Sequence, residues 1–397
     1  MNKEHLMETA ATSSVTEQTD IPEIARDVPQ GLELGLRNYW YPVIESGKVV
    51  ADQPTGFTML GEALVAWRDN TGRPCVVRDR CPHRAAKLSQ GRVLGGDLQC
   101  RWHGLRFDGA GRCTLIPWEP DDSKLLGDAG VVGYPAGEAG GQIWAYLGDA
   151  RQFPVPPLEE CLPEELTRPD EFIVFRHPDE LWNCNWLQAF DGVDSFHAVM
   201  LHTDSQAVQN EKYKGNGRPK SATVPIEERR MSFIETPQGL RGVVHDPSGQ
   251  QVHHGHMLSG WQGESVTLPA LNTIPIKPAP GIPPYLGRHY QVPVDATHTL
   301  SVRFVAMRAS TDEQRARCED IFREVVAPRQ RHVNGEDRML IEELGDLAES
   351  RADEFLFYPD QDVVRVRRRF AEAFRGQREG DRPLPSKENL AVPDLIT

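Results

Sequence analysis

Short apolar runs separated by turn residues dominate positions 38–150 and predict antiparallel β-structure. Gly61-Glu62 and Asp108-Gly109-Ala110-Gly111 are typical of tight hairpin turns. The runs that we expect to form strands here are Phe57–Leu60, Ala63–Arg68, Cys75–Arg78 and, as the closing strand, Ile143–Leu147.

The pattern changes after positions 151–169, which are rich in Pro and Glu and typical of a linker. Asp179 to about His202 predicts a helix that begins near Pro178 or Asp179. A β-rich stretch follows, from which several strands could form one large antiparallel sheet. Its predicted strands are Ala222–Glu235, Leu240–His245, Ser265–Ile276, Arg288–Pro293 and Thr297–Arg308.

The last part of the chain predicts helices. Ser310-Thr311-Asp312-Glu313 reads as a capping box that opens a helix towards Val326. Two more helices are expected near Gly335–Glu349 and Gln361–Phe374. The 397 residues are enough for two domains, and we place a flexible tail at 1–36, a first domain at 37–155 and a second at 156–397.

Composition limits the class of protein. The hydrophobic content of 39% allows packed cores, but no apolar run is long enough to cross a bilayer and no signal-peptide pattern opens the chain. Seven cysteines without a disulfide pattern favour a reducing, cytoplasmic location. A net charge of −14 argues against a nucleic-acid partner.

The charge is nevertheless uneven. Positions 70–115 carry nine basic and three acidic residues, a local balance of +6. Opposite charge steers association, so this segment could dock an acidic electron donor. An ordinary solvated face explains the same composition equally well.

Two mixed Cys/His pairs hold the most specific chemistry. Cys81 and His83 stand one residue apart, and sixteen residues from Arg84 to Gln99 lead to Cys100 and His103. A Rieske [2Fe–2S] centre needs two Cys on one iron and two His on the other. A Cys2His2 zinc site is the competing interpretation, but zinc fingers usually pair Cys with Cys and His with His.

The first 150 residues resemble the Rieske domain of Rieske non-haem iron oxygenases. The resemblance runs from Arg37-Asn38-Tyr39-Trp40-Tyr41-Pro42-Val43, through both Cys/His pairs, to Gly141–Asp149. It implies an antiparallel β-domain whose cluster ligands lie on loops at the tips of two hairpins.

A second set of ligands follows in Asp194-x2-His197-x4-His202. Two His and one carboxylate on one face of the metal are the ligands of non-haem Fe(II) oxygenases. Imidazoles five residues apart do not share one face of a regular helix, so the helix must bend or end near Met200. Two helical histidines alone are more often structural than ligands.

Behind a Rieske motif, this pattern resembles the catalytic domain of the same oxygenases, including the preceding Asn185-Trp186. The resemblance implies a third ligand in a later acidic stretch, for which we choose Asp337 over Glu342, Asp346 and Asp353. It also implies that Asp194 bridges iron ligand His197 to cluster ligand His103 of a neighbouring subunit. Phe190-Asp191-Gly192 departs from the family, where Asn is common at this point.

The resemblance as a whole implies an α+β protein in which a helix-grip (START-like) catalytic domain with a large antiparallel sheet follows the Rieske domain, assembled as a homotrimer. The expected function is the terminal oxygenase of a Rieske system. It would take electrons from a ferredoxin or flavin reductase and use O2 at a mononuclear Fe(II) to hydroxylate or oxidatively demethylate an aromatic substrate.

Other functions stay open at this point. They are a cis-dihydroxylating dioxygenase and, less favoured, an iron–sulfur electron-transfer protein or a zinc-binding protein. We expect the substrate pocket to draw on the strands between Val224 and Phe304 and on Leu268–Tyr285. The start of the first domain resembles members without a β subunit, which mildly favours monooxygenation.

Overall fold

The computed structural model describes most of the chain. The described residues are 28–120, 123–192, 197, 201–202, 228, 230–236, 239–245, 247–252, 266–276, 282–357, 360–385 and 387–392. Within these limits, the first part of the chain is built from β-strands and the last part mainly from helices.

The strands of the first part form three small antiparallel sheets. Their orders are β1-β11-β10, β2-β3-β4-β9 and β5-β6-β7-β8. The bounds are β1 Tyr39–Glu45, β2 Thr55–Met59, β3 Glu62–Arg68, β4 Pro74–Arg78, β5 Arg92–Leu94, β6 Asp97–Gln99, β7 Arg106–Phe107, β8 Cys113–Leu115, β9 Gly133–Tyr134, β10 Ala136–Ala139 and β11 Gln142–Leu147.

The antiparallel strands predicted for this part are confirmed. β2 pairs with β3 through a turn at Leu60 and Gly61, whose φ angles are 49° and 71°. Two residues with positive φ are what a two-residue hairpin turn requires, since such a turn follows the right-handed twist of the strands. Short apolar runs and turn residues were therefore sufficient to predict these strands.

The second part is organised around a six-stranded antiparallel sheet. Its path is β12-β20-β19-β18-β17, and β13 pairs with the other part of β20. A separate three-stranded sheet has the order β14-β15-β16. The bounds are β12 Phe172–Arg176, β13 Glu180–Trp182, β14 Arg230–Thr236, β15 Gly239–His245, β16 Gln251–Val252, β17 Val266–Thr267, β18 Leu271–Ile276, β19 Tyr285–Pro293 and β20 Thr299–Arg308.

The predicted large antiparallel sheet is thus confirmed, and β19 and β20 lie at its centre. Every residue of β19 is buried. Trp144 of β11 meets Tyr290 of β19 edge to face, with ring centroids 5.3 Å apart. The first part of the chain therefore packs directly against the large sheet.

Seven α-helices are described. They are α1 Glu164–Thr167, α2 Trp186–Asp191, α3 Asp312–Ile321, α4 Ala327–Glu342, α5 Leu347–Asp353, α6 Gln361–Glu379 and α7 Lys387–Leu390. A single wider helical segment, Phe322–Val326, joins α3 to α4. The Thr311 hydroxyl and Gln314 side chain cap the start of α3 reciprocally, so the capping box predicted from Ser310 to Glu313 lies one residue later.

Two predicted helix boundaries are wrong. Positions 180–182 form β13 instead of the start of a helix, and α2 begins only after Asn185, whose side chain caps it. The helix predicted to end at Val326 continues through the wider segment into α4, so Gly335 lies inside a helix instead of opening one. Neither change could be read locally, because β13 exists only through its pairing with β20.

Part of the predicted N-terminal tail is packed. Leu32 and Leu36 are buried, and Trp186 Nε1 donates a hydrogen bond of 3.1 Å to the Leu32 carbonyl. The expected tail at 1–36 is therefore too long at its C-terminal end. The division between two domains at position 155 stays a prediction.

Candidate metal centres

The first candidate centre lies on two loops at one end of the first part. Cys100 and His103 lie between the paired strands β6 and β7, as expected for a hairpin tip. Cys81 and His83 follow β4, which belongs to a different sheet from β5. The expected second hairpin tip is therefore wrong, since this loop connects two sheets.

Backbone hydrogen bonds shape each loop around its thiol. The Cys81 N–H donates to the Ala86 carbonyl at 2.9 Å, and the Cys100 N–H donates to the Leu105 carbonyl at 2.8 Å. Gly104 closes the second loop with a φ of 82°, a conformation that favours glycine. Both thiols are consequently held inward, and each cysteine is only 2% exposed.

The two imidazoles lie together on the outer side of these thiols. The rings of His83 and His103 have centroids 4.5 Å apart. Burial raises the pKa of the Cys81 thiol to about 11, with the neighbouring Cys100 adding to the effect. Coordination to iron overcomes the cost of ionising the buried thiol, because a coordinating thiol is deprotonated outright. Two inward thiols and two outward imidazoles are the donors that a Rieske cluster requires.

An aromatic and basic rim surrounds the imidazoles. Trp102 stacks on His103 with centroids 4.9 Å apart and is 58% exposed. The Arg84 guanidinium lies over the indole ring of Trp102, 5.7 Å from its centroid. Burial and then the nearby His83 and Arg84 lower the pKa of His103. The imidazole side of this centre therefore lies at the surface, with the exposed Trp102 ring beside it.

The second candidate centre brings together residues far apart in the chain. His197, His202 and Asp337 each offer a ligand atom, and these atoms lie within 4.8 Å of one another. His202 Nε2 is 3.1 Å and His197 Nε2 is 3.6 Å from Asp337 Oδ1. Two imidazoles and one carboxylate at this spacing can hold one divalent iron with open positions.

Glu336 completes this centre and was missed in the sequence. Its carboxylate lies 3.0 Å from His202 Nδ1, while Asp337 lies on the Nε2 side of the same ring. A carboxylate on the second nitrogen orients a metal-binding imidazole and makes it a better ligand. Glu336 is the residue before Asp337 in an acidic stretch, and in the sequence it looks like a surface acid. Only its contact with His202 in the folded protein shows its role.

The rival acids lie in other settings. Glu342 accepts a hydrogen bond of 2.8 Å from the Asn183 N–H and pairs with Arg338. Asp346 caps α5 through the Ala348 N–H. Asp353 is exposed at the end of α5. Among the described acids of this stretch, Asp337 is the one that meets both histidines, although it lies late in α4 and not at a helix start as expected.

The residues before the histidines are structural in the described part of the chain. Asn185 caps α2 and donates to the Glu33 carbonyl at 2.9 Å. Asp191, the departure from the family pattern, forms ion pairs with Arg351 at 2.8 Å and with Arg367 at 2.9 Å. Asp191 therefore holds α5 and α6 against α2. Asp194, the predicted bridging residue, lies outside the described residues.

Both parts of the chain match known families. The Rieske [2Fe-2S] domain matches residues 39–130, and the family described as homotrimeric ring hydroxylase matches residues 146–378. The fold and the two candidate ligand sets agree with these two matches. The chain belongs to the homotrimeric ring hydroxylase family. This membership implies a Rieske cluster, a mononuclear iron and O2 as the cofactors and co-substrate.

Individual relatives match over part of their length. The 3-chlorobenzoate-3,4-dioxygenase oxygenase subunit of Comamonas testosteroni is 34% identical over 46% of this chain and 41% of its own length. The phthalate 4,5-dioxygenase oxygenase subunit of Pseudomonas putida is 28% identical over 69% of this chain and 60% of its own. This chain thus spans less than two thirds of these relatives.

Solved structures support the fold. The oxygenase in its reduced complex with ferredoxin from carbazole 1,9a-dioxygenase superposes with a TM-score of 0.64, at 22% identity, over 90% of this chain and 93% of that chain. The terminal oxygenase of the Novosphingobium sp. KA1 enzyme gives 0.63 at 22% identity, over 87% and 95%. Within the described part of the chain, no helix is both long and apolar enough to cross a membrane.

Proposed function

We propose that this chain is the terminal oxygenase component of a Rieske-type system. It takes electrons from a ferredoxin or flavin reductase and uses O2 to hydroxylate or oxidatively demethylate an organic, aromatic substrate. The observation that carries this proposal is the presence of two different sets of metal ligands in one chain, Cys/His in the first part and His/His/Asp in the second. An electron carrier needs only the first set.

The roles of the residues follow from their donor atoms. Cys81, His83, Cys100 and His103 would hold the cluster, and His197, His202 and Asp337 would hold the iron. When bound, the cluster supplies single electrons and the iron supplies O2 activation. The protein contributes fixed ligand geometry: the loop hydrogen bonds hold the thiols inward, and Glu336 keeps the Nδ1 proton of His202 so that Nε2 is free to bind metal.

We further propose that electrons pass between subunits of a homotrimer. The relatives of this family are described as homotrimeric. An imidazole pair that faces outward suits transfer to a neighbouring subunit, and head-to-tail contacts of this kind close into a ring. Asp194 is our proposed bridge between His197 of one subunit and His103 of the next, because a carboxylate orients both imidazoles.

The electron donor is proposed to dock beside Trp102. Of the nine basic residues in the +6 segment, Arg73, Arg78 and Arg112 already form ion pairs with nearby acids. Arg84, Lys87 and Arg101 are exposed around the ligand loops and are better placed to attract an acidic donor. The seven cysteines are all unpaired, which supports our placement of the reaction in the cytoplasm.

Oxygen uptake with reductant is the test of this function. The purified protein should show a Rieske spectrum, contain iron in excess of its cluster and consume O2 with NADH, a generic reductase and a substrate. Analysis of the products distinguishes hydroxylation, demethylation and cis-dihydroxylation. A protein that holds zinc, or one that passes electrons without consuming O2 over a broad substrate screen, contradicts the proposal.

Mixed trimers test the transfer between subunits. His103→Ala and His197→Ala subunits are each inactive on this proposal, but a trimer containing both pairs an intact cluster with an intact iron site across one interface. Activity should return in part. Mixed trimers that contain both chains and the remaining metals, yet stay inactive, contradict the proposed path.

A further inference from the structure

One face of the large sheet carries an unusual group of buried polar side chains. His289 lies directly opposite Arg303 across β19 and β20, and Gln291 lies directly opposite Ser301. Side chains alternate between faces along a strand, so these four residues point to the same side. We call His289, Gln291, Ser301 and Arg303 the polar belt. Each is at most 7% exposed.

The polar belt is short of hydrogen-bond partners. Among the described residues, no partner is found for His289 Nε2, Gln291 Oε1, Ser301 Oγ and two of the Arg303 nitrogens, Nε and Nη1. Buried polar groups are usually paired, because leaving one unpaired costs about 1–3 kcal/mol. Five such atoms on two adjacent strands therefore indicate a surface that is completed by a bound molecule.

A glycine beside this surface fixes the position of His289. Gly287 precedes His289 by two residues and so lies on the same face of β19. A Cβ atom at Gly287 would lie 3.3 Å from His289 Nε2. Glycine inside a strand often marks a place where another group approaches closely. The absence of a side chain here therefore lets the His289 ring lie against the backbone of β19, which fixes the position of one of the unpaired atoms.

Helix α4 covers the same face and joins it to the iron ligands. His177, which follows β12, lies with Nε2 2.7 Å from Gln330 Oε1 of α4. Ile341, near the end of α4, packs against Trp182 of β13. Asp337 lies between these two contacts, two turns or about 10 Å along the helix from Gln330. The polar belt and the iron ligands therefore face one interior region between sheet and helix.

The unpaired hydrogen-bond donors of this region favour an anion. Arg303 pairs with Glu180, and Arg338 of α4 pairs with Glu342, so these two ion pairs contribute no net charge. Arg331 adds a further guanidinium, and burial together with Arg331 and Arg338 lowers the pKa of Arg303, against the opposing effect of Glu180. Burial also lowers the pKa of His289 to about 3, which keeps its ring neutral and able to donate from Nε2. Donors outnumber acceptors among the unpaired atoms.

We propose that the polar belt binds a carboxylate group of the substrate and so orients the rest of the molecule towards the iron ligands. This inference rests on the proposed oxygenase function and adds the class of substrate to it. Arg303 and Ser301 donate to the carboxylate oxygens and His289 donates from Nε2, while Gln291 lies beside them, directly opposite Ser301. Such an arrangement discriminates against neutral molecules, since they would leave buried donors unpaired.

Paired ligands test this directly. Benzoate, 2-naphthoate and 4-phenoxybenzoate would each be compared with the corresponding primary amide by calorimetric titration of the anaerobic holoenzyme. We expect at least one carboxylate to bind about tenfold or more tightly than its amide, as expected for hydrogen bonds to a charged group. If no carboxylate of the set binds more tightly than its amide, the proposal is wrong.

Two variants locate the interaction. Gln291→Glu is nearly isosteric and places a negative charge in the polar belt, so it should weaken the preferred carboxylate about tenfold or more and change its amide little. Ser301→Ala should weaken the same carboxylate by a smaller factor without disturbing the Arg303–Glu180 pair. Gln152→Glu makes the same chemical change at an exposed position of the first domain and should leave both affinities unchanged.

The outcomes separate this proposal from the oxygenase function. Iron content and the Rieske EPR signal report whether both centres are intact in each variant. Equal loss of carboxylate and amide binding in Gln291→Glu, with both centres intact, would show that the polar belt does not recognise charge. A wild-type protein that prefers carboxylates but consumes no O2 would instead retain the binding site and contradict the oxygenase function.

Discussion

The two candidate metal centres are assembled in opposite ways. The ligands of the first come from two short loops within 23 residues, and each loop is shaped by its own backbone hydrogen bonds. The ligands of the second come from His197, His202 and Asp337, so its carboxylate is contributed by a helix 135 residues after the second histidine. The first centre is local in sequence, whereas the second depends on the packing of distant elements.

This difference predicts different kinds of fragility. The Cys/His loops need only their small sheets to present the ligands, so changes elsewhere should leave the cluster intact. The second centre needs α4 to lie across the large sheet in one register, which Gln330 and Ile341 fix by their contacts with His177 and Trp182. Its geometry is therefore sensitive to residues that never touch the metal.

The largest expected effect is loss of the cluster alone. Cys81→Ser and His103→Ala each remove a ligand atom that no neighbouring residue can replace, so the Rieske absorption and EPR signal should disappear. Iron should still bind in the second centre. Cys113→Ser, which changes an unpaired thiol outside the ligand loops, is the matched control. A normal Rieske EPR signal in His103→Ala would show that the ligand assignment is wrong.

Loss of the second iron should be equally selective. Asp337→Asn replaces the anionic ligand by a neutral amide and should abolish iron binding at this centre and product formation, while the Rieske spectrum is unchanged. Asp353→Asn makes the same change at an exposed rival acid and should retain both. Iron analysis and EPR of the two variants measure the difference. Retained iron in Asp337→Asn would show that another acid is the iron ligand.

A graded effect is expected at Glu336. Glu336→Ala removes the partner of His202 Nδ1 and should weaken iron affinity about 10–100-fold, because the imidazole is no longer held in one orientation and tautomer. Glu336→Gln keeps an acceptor oxygen and should recover part of the affinity. Competition with a chelator measures both values. Equal affinities for the wild type and Glu336→Ala would leave Glu336 as a surface acid.

The smallest effect concerns acid stability of the second part. Burial lowers the pKa of His177 to about 4, with Arg303 contributing in the same direction. Between pH 6.5 and about 4 the unfolded chain therefore binds a proton that the folded protein does not. The free energy of unfolding should fall with decreasing pH in this window by at most ~1.4 kcal/mol per unit for this residue.

Unfolding by urea at several pH values measures this slope. His177→Gln should reduce the slope between pH 6.5 and 4 relative to the wild type. Gln152→Asn, which changes an exposed amide and no titratable group, is the control and should leave the slope unchanged. An identical slope in His177→Gln and wild type would mean that other groups determine the acid sensitivity.

The same contrast explains which structural predictions succeeded. Strands such as β3 and β20 were predicted within one or two residues, because their apolar residues and flanking turns act over short distances. The helix expected from Asp179 failed at positions 180–182, since pairing with β20 outweighs local helical preference there. The end expected at Val326 failed because a wider helical turn lets the chain continue into α4.

The sequence by itself determined the local chemistry of this protein. The order Cys81, His83, Cys100 and His103 is specific for a Rieske cluster, and two histidines with acids downstream were enough to expect a second centre. The family resemblance suggested Asp337 among several acids, but only tertiary structure brought it against both histidines, set Glu336 against His202 and aligned the polar belt across β19 and β20. These contacts join residues tens to hundreds of positions apart in the chain. They depend on how a helix packs on a sheet, and no local sequence pattern encodes that packing.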